Sequence, residues 1–245
     1  MDENFHDLPL SGQLTLTRQG TAHYSGQIAQ LSSEDFDEPT LLPGWSRKHL
    51  IAHVAYNAAA LCNLMHWAET GERTPMYSSP EARLREIEFG ATLDPDPLRN
   101  LHAHTVARLD AAWREATSEA WQYQVETAQG RSVPASETLW MRTREVWIHA
   151  VDLGLKASFE EIPSIILKSL LEDITSKWRS SGVGVGLTLV DPADQLEVTV
   201  LSSSEEPETI ISGGLSGLVR WASGRGAEGV TALDRESVPS PPRWL

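Results

Sequence analysis

SRKHLIAHVAYNAAALCNLMHWAETG, residues 46–71, is the stretch on which the fold turns. Ser46 can accept hydrogen bonds from the first unpaired amides of a helix, and Gly71 supplies the left-handed residue that commonly ends one. Between them Leu50, Val54, Leu61 and Leu64 recur at helical spacing, which predicts a helix through about Glu69 with one apolar stripe.

The sequence on either side predicts further helices. Residues 10–31 carry Leu14, Leu16, Ile28 and Leu31 among small and polar residues, a long if imperfect helical pattern, followed by the acidic, turn-rich connection 32–45. Ser79-Pro80-Glu81 opens a shorter helix, since proline suits the first turn and a carboxylate suits the positive end of the dipole. Asp94-Pro95-Asp96-Pro97 introduces a long helix to about Trp121, with Leu98, Leu101, Val106, Leu109 and Trp113 inward and His102 and His104 at the surface. Residues 122–136 predict a short strand pair turning at Gln129-Gly130. Ser136 and Glu137 then start a helix to about Ala157 that carries Leu139, Val146 and Val151.

Four long helices with loops between them fit a helix bundle over residues 1–158. The pattern changes near Glu160. Pro163 begins another helix ended by Ser181-Gly182, and β-type runs follow at Leu187–Val190, Leu196–Leu201 and Thr209–Ile211. A last helix over Leu215–Ala222 and an irregular Pro-rich tail complete a small α+β domain, residues 159–245. The expected class is therefore mainly α, with an added α+β part.

Composition excludes several functions. The 245 residues hold 20 Lys and Arg against 34 Asp and Glu, a formal charge of -14. Nucleic-acid binders and polybasic membrane binders need positive charge to meet phosphate, so neither partner is expected. Residues 159–211 alone carry ten acids and three bases. The single cysteine, Cys62, forbids an internal disulfide and a Cys-rich metal site; it is read as a packed small hydrophobe. The first ten residues lack the basic and apolar regions of a signal peptide, and no run approaches the ~18 apolar residues that cross a bilayer. A cytoplasmic protein without an obligate protein partner is the expectation.

Chemistry concentrates on WMRTREVWIHAVDLG, residues 140–154. Glu145 and His149 stand four apart, so a carboxylate and an imidazole can aim at one point from one helical face. A facing helix can complete such a site, and residues 46–71 offer His49, His53, Asn57 and His66. Two histidines and one carboxylate would leave coordination positions open, as catalytic metal sites do. The bland alternative is a solvated pair, because Glu and His fall four apart in many helices. Trp140 and Trp147 fit the core. Gly213-Gly214 and Gly224-Arg225-Gly226 match no phosphate-loop pattern.

LPGWSRKHLIAH (residues 42–53) resembles the entry to the second helix of the DinB-like superfamily, metal-binding four-helix bundles. Taken with residues 140–154, with 53–83 and with the terminal ASGRG and PPRWL segments, the chain is similar along essentially its whole length to the mycothiol-dependent maleylpyruvate isomerase branch. That resemblance implies metal ligands at His53, Glu145 and His149, which removes His49. It implies an essential arginine at Arg225 and, more weakly, an anion contact at Arg83. The implied cofactors are Zn²⁺ and mycothiol; the implied substrate is a small dicarboxylate, isomerised from maleylpyruvate to fumarylpyruvate in gentisate breakdown. Thiolate addition makes the double bond single, rotation follows, and elimination restores the alkene in the trans form. With charge supplied by the second domain, the site is expected in the cleft between bundle and α+β domain. An S-transferase of the same superfamily, and a non-catalytic small-molecule or protein-binding bundle, are the competing functions.

Overall fold

Ser46 does begin a helix. In this computed structural model, which describes residues 4–202 and 209–244, α2 runs Arg47–Thr70. Glu205, Glu206 and Glu208 of the acidic run, and Leu245 of the tail, lie outside the described residues. The Ser46 amide donates to His49 Nδ1 (3.3 Å), and Gly71 closes the helix at φ 74° with its amide on the Trp67 carbonyl.

Around α2 stand α1 (Leu10–Ala29), α3 (Pro80–Ala91), α4 (Pro95–Glu115) and α6 (Glu137–Asp152), with the short α5 (Ser118–Gln122) and the hairpin of β1 (Gln124–Glu126) and β2 (Ser132–Pro134) between the last two. Leu50, Val54, Leu61 and Leu64 are fully buried, with Leu98, Leu109, Leu139 and Val146 among the residues that complete this core. Burying each such side chain contributes roughly 1.5–3 kcal/mol before chain entropy is counted.

Several expectations need correction. The third long helix ends at Glu115, short of Trp121, because Ala116 turns extended and Thr117 caps α5 by accepting from the Ala120 amide (3.2 Å). The fourth ends at Asp152 rather than near Ala157. Of the apolar residues that predict α1, Ile28 and Leu31 are buried and Leu14 and Leu16 half-buried, and Thr17, Gly20, Tyr24 and Gln27 complete the inward face. A Cβ at Gly20 would meet the Trp147 ring at 2.5 Å, so close approach of α1 to α6 needs glycine there. His102 is not at the surface: it is 4 % exposed and bonds Ser25 through Nε2 (2.9 Å). It occupies the same inward stripe of α4 as Leu98, Thr105, Leu109 and Trp113.

Residues 8–157 form one compact unit; the segment through Asp7 and residues 158–245 form the other. The second unit packs α7 (Ser164–Ser180) and α8 (Leu215–Ala222) with a sheet of order β4-β3-β5-β6. Its strands are β3 (Leu187–Asp191), β4 (Leu196–Thr199), β5 (Thr209–Gly213) and β6 (Val230–Ala232). β3 and β5 are parallel and the outer pairs antiparallel. β6 falls in the segment read from sequence as irregular. Trp178 and Trp221 meet edge to face in its core, with ring centroids 6.1 Å apart. Phe5 is fully buried here and its amide donates to Ser169 Oγ (2.9 Å), which gives the amino-terminal turn to this unit instead of to the bundle.

Candidate metal centre

α2 and α6 pack together in the helical unit. His53 lies two turns into α2, and Glu145 and His149 share one face of α6. Their ligand atoms all lie within 4.8 Å of one another. His53 Nε2 touches Glu145 Oε1, and His149 Nε2 is 3.4 Å from the same oxygen. That oxygen is nevertheless buried without a well-formed hydrogen bond among the described residues. Two imidazole nitrogens and a carboxylate oxygen thus converge on one point, and an orphaned buried acceptor is costly unless a cation fills it.

The surroundings prepare the ligands. His149 Nδ1 bonds Asp152 Oδ2 (2.8 Å), and Asp152 is fully buried. A carboxylate on Nδ1 fixes the ring and leaves Nε2 to bind metal. Trp45 meets His53 edge to face at 5.4 Å and limits its rotation. Burial opposes charge on Glu145, but His53 and His149 outweigh it and hold the carboxyl well below its ordinary range. Burial likewise opposes charge on His149, yet Glu145 and Asp152 push that ring up to about 9. For His53 burial dominates and lowers it. The donor set suits a divalent ion such as zinc.

Arg83 is also brought here: its Nη2 lies 3.3 Å from His53 Nδ1, and its guanidinium stands 6.0 Å from the centroid of the Tyr77 ring. Gly90 on the same helix permits this, since a Cβ there would stand 2.5 Å from Ala52 on α2. Arg225 belongs to the other unit, half-buried after α8, with Nη1 donating to the Ser223 carbonyl (2.6 Å). His49 is spent on the start of α2 and faces Glu88 (3.7 Å), and His66 is exposed. Asn57 accepts from Arg142 Nη1 (3.0 Å). Cys62 is buried and burial pushes its thiol up, which suits packing and not nucleophilic attack.

Asp152 and Arg142 carry no expectation from the sequence, yet both stand close to the ligands. The first had a signal, since His149 and Asp152 stand three apart on one helix. The second had none, because an arginine inside a bundle reads as a solvated residue.

Residues 17–154 match the family model for the mycothiol maleylpyruvate isomerase N-terminal domain. Over 99 % of this chain and all of theirs, two solved structures are similar, each with a TM-score of 0.95. One is a crystal structure of the mycothiol-dependent maleylpyruvate isomerase, 60 % identical; the other is a histidine-to-alanine variant of that enzyme, 59 % identical. No curated protein matches the chain. Among the described residues no helix is long and apolar enough to cross a membrane.

Proposed function

This chain belongs to the mycothiol maleylpyruvate isomerase family, and from that premise we propose that it isomerises maleylpyruvate to fumarylpyruvate with mycothiol as thiol cofactor. The observation that carries the reading is the convergence of His53, Glu145 and His149 on one point in a chain so similar to an enzyme of that name.

Three protein ligands leave at least one coordination position open. The chemistry a divalent metal supplies there, when bound, is ionisation of a coordinated thiol at neutral pH, the nucleophile that reversible addition to a double bond requires. The protein's own part is orientation and charge. Asp152 accepts a hydrogen bond from His149 Nδ1–H, which keeps the proton on Nδ1 so that Nε2 presents its lone pair to the metal. The low exposure of His53, Glu145 and His149 keeps bulk water from competing for the open position.

Two arginines are assigned to the anionic substrate. Arg83, already beside His53, can pair with one carboxylate. Arg225 is proposed as the catalytic cation that stabilises enolate-like charge as it develops on the substrate. With 34 acids against 20 bases the protein's long-range field repels a dianion, so recognition depends on such short contacts. Cys62, buried and un-ionised, supports a borrowed thiol in place of one of the chain's own. The lone unbridged cysteine also accords with a cytoplasmic setting.

Zinc-loaded protein is assayed with maleylpyruvate in the presence and absence of mycothiol. Turnover is expected only with the thiol, which is recovered unchanged. Equal conversion without thiol ends the proposal, and a stable thioether product turns it into an S-transferase.

A further inference from the structure

A cavity of about 300 Å³ opens between α1 and α4, and none of the three ligand residues lines it. Val106, Leu109 and Trp113 of α4 and Ala22 of α1 make much of its wall apolar. Trp113 is held in place by donating Nε1–H to Thr138 Oγ1 (3.1 Å).

Most polar groups on the wall are already engaged. Thr21 Oγ1 donates to the Thr17 carbonyl (2.9 Å), and Ser25 Oγ bonds His102 Nε2 (2.9 Å). Asp110 takes Arg18 on one carboxylate oxygen (2.7 Å) and Arg114 on the other (3.0 Å). The exception is Arg142, which reaches the cavity from α6 and is 1 % exposed. Its Nη1 donates to the Val54 carbonyl (2.7 Å) and to Asn57 Oδ1 (3.0 Å), both neutral acceptors. Its Nη2 has no hydrogen-bond partner among the described residues. Burial lowers the guanidinium to about 10, so it keeps its charge at neutral pH.

Arg142 thus brings a buried guanidinium, one nitrogen of which lacks an acceptor, to a cavity whose other polar side chains are engaged with side chains or with the backbone. Such a group is suited to an anionic oxygen. One unpaired nitrogen calls for one acidic head, and the Trp113 side calls for an apolar body. Arg18 and Asp110 of the wall, with Arg114 paired to the same aspartate, put two positive charges around one negative on a chain of net charge -14. That excess draws a small anion inward.

We propose that this cavity is a second ligand site, separate from the metal centre, for a small monocarboxylate with an apolar body, such as an aromatic acid. Benzoate is the probe, titrated by calorimetry into the full-length protein both stripped of metal by chelation and loaded with zinc. One saturable site is expected in both forms, with quenching of tryptophan fluorescence. Ala22→Leu, at the exposed rim, closes the mouth and weakens benzoate at least about tenfold, while zinc stoichiometry stays the same. Benzyl alcohol, which keeps the ring and loses the charge, binds at least about tenfold more weakly than benzoate. Arg142→Met loses the preference for the acid; should that variant not fold, the benzoate and benzyl alcohol pair measures the same dependence on the native protein. The proposal is overturned by any of three results. These are no saturable binding below roughly 10 mM, equal affinity in Ala22→Leu, or binding confined to the zinc-loaded form, which places the acid on the metal.

Discussion

The cores of the two units are built on different terms. In the helical unit the buried residues include His53, Asn57, His102, Arg142 and Asp152, along with several threonines. In the other unit Trp178, Trp221, Phe159, Leu170, Ile174, Leu189, Ile211 and Leu218 dominate, and its buried polar residues are mostly hydroxyl-bearing. Every ionisable side chain taken out of water costs stability unless it is paired, so a core loaded with them is not the one that stability alone would select. By that measure the helical unit gives up stability to hold chemistry, a cost that the α+β unit, with Asp191 as its buried ionisable residue among those described, largely escapes. Substitutions in the two cores should therefore fail in different ways.

The largest separation is expected from Glu145→Ala. Turnover falls on the order of 10⁴-fold and zinc stoichiometry collapses, while the chain stays folded by circular dichroism; zinc retained at full stoichiometry would sink the ligand assignment. Trp178→Ala does the reverse. It removes about 3–5 kcal/mol of stability in denaturant unfolding, whereas zinc affinity at low temperature is unchanged. A parallel loss of zinc would show that the two cores are not independent. Third comes Arg225→Ala, expected to lower kcat/KM by about 10²–10³-fold with zinc affinity and melting temperature intact. Normal turnover would remove Arg225 from catalysis.

Asp152→Asn tests the support behind a ligand: zinc affinity drops by about 10–100-fold in a chelator competition. The smallest effect is a pH dependence. His102 is held down to about 3, by burial first and by Arg142 second, whereas the unfolded chain takes up that proton near 6.5. Between these values the unfolded state binds more protons, so the contribution is intact above 6.5 and stability is lost as pH falls through the window, about 1.4 kcal/mol per unit. Urea unfolding of wild type and His102→Gln between pH 7 and pH 5 should show the shallower loss in the variant. Coincident slopes would mean that His102 accepts its proton in the folded state.

Legibility followed range. Ser46, Gly71 and Ser79 act on their own helix ends, so local sequence revealed them. The Glu145 and His149 pair is also local, but choosing His53 over His49 depends on how α2 rolls against α6, and spacing alone left both open. His102 shares the period of Leu98, Leu109 and Trp113, and that stripe, not the polar character of histidine, decides its burial. β6 and the place of Phe5 depend on pairings far along the chain, which no local pattern encodes.

That last pairing has a kinetic consequence. The bond from the Phe5 amide to Ser169 joins residues 164 positions apart, around the whole helical unit. Closing so long a loop from a disordered chain costs about 4–5 kcal/mol in entropy, and far less once the intervening helices have ordered. During synthesis the turn that carries Phe5 is made before the helical unit and seated only after α7 has left the ribosome. Until then Phe5 is an unsheltered aromatic ring, and the α+β unit is short of one piece of its core.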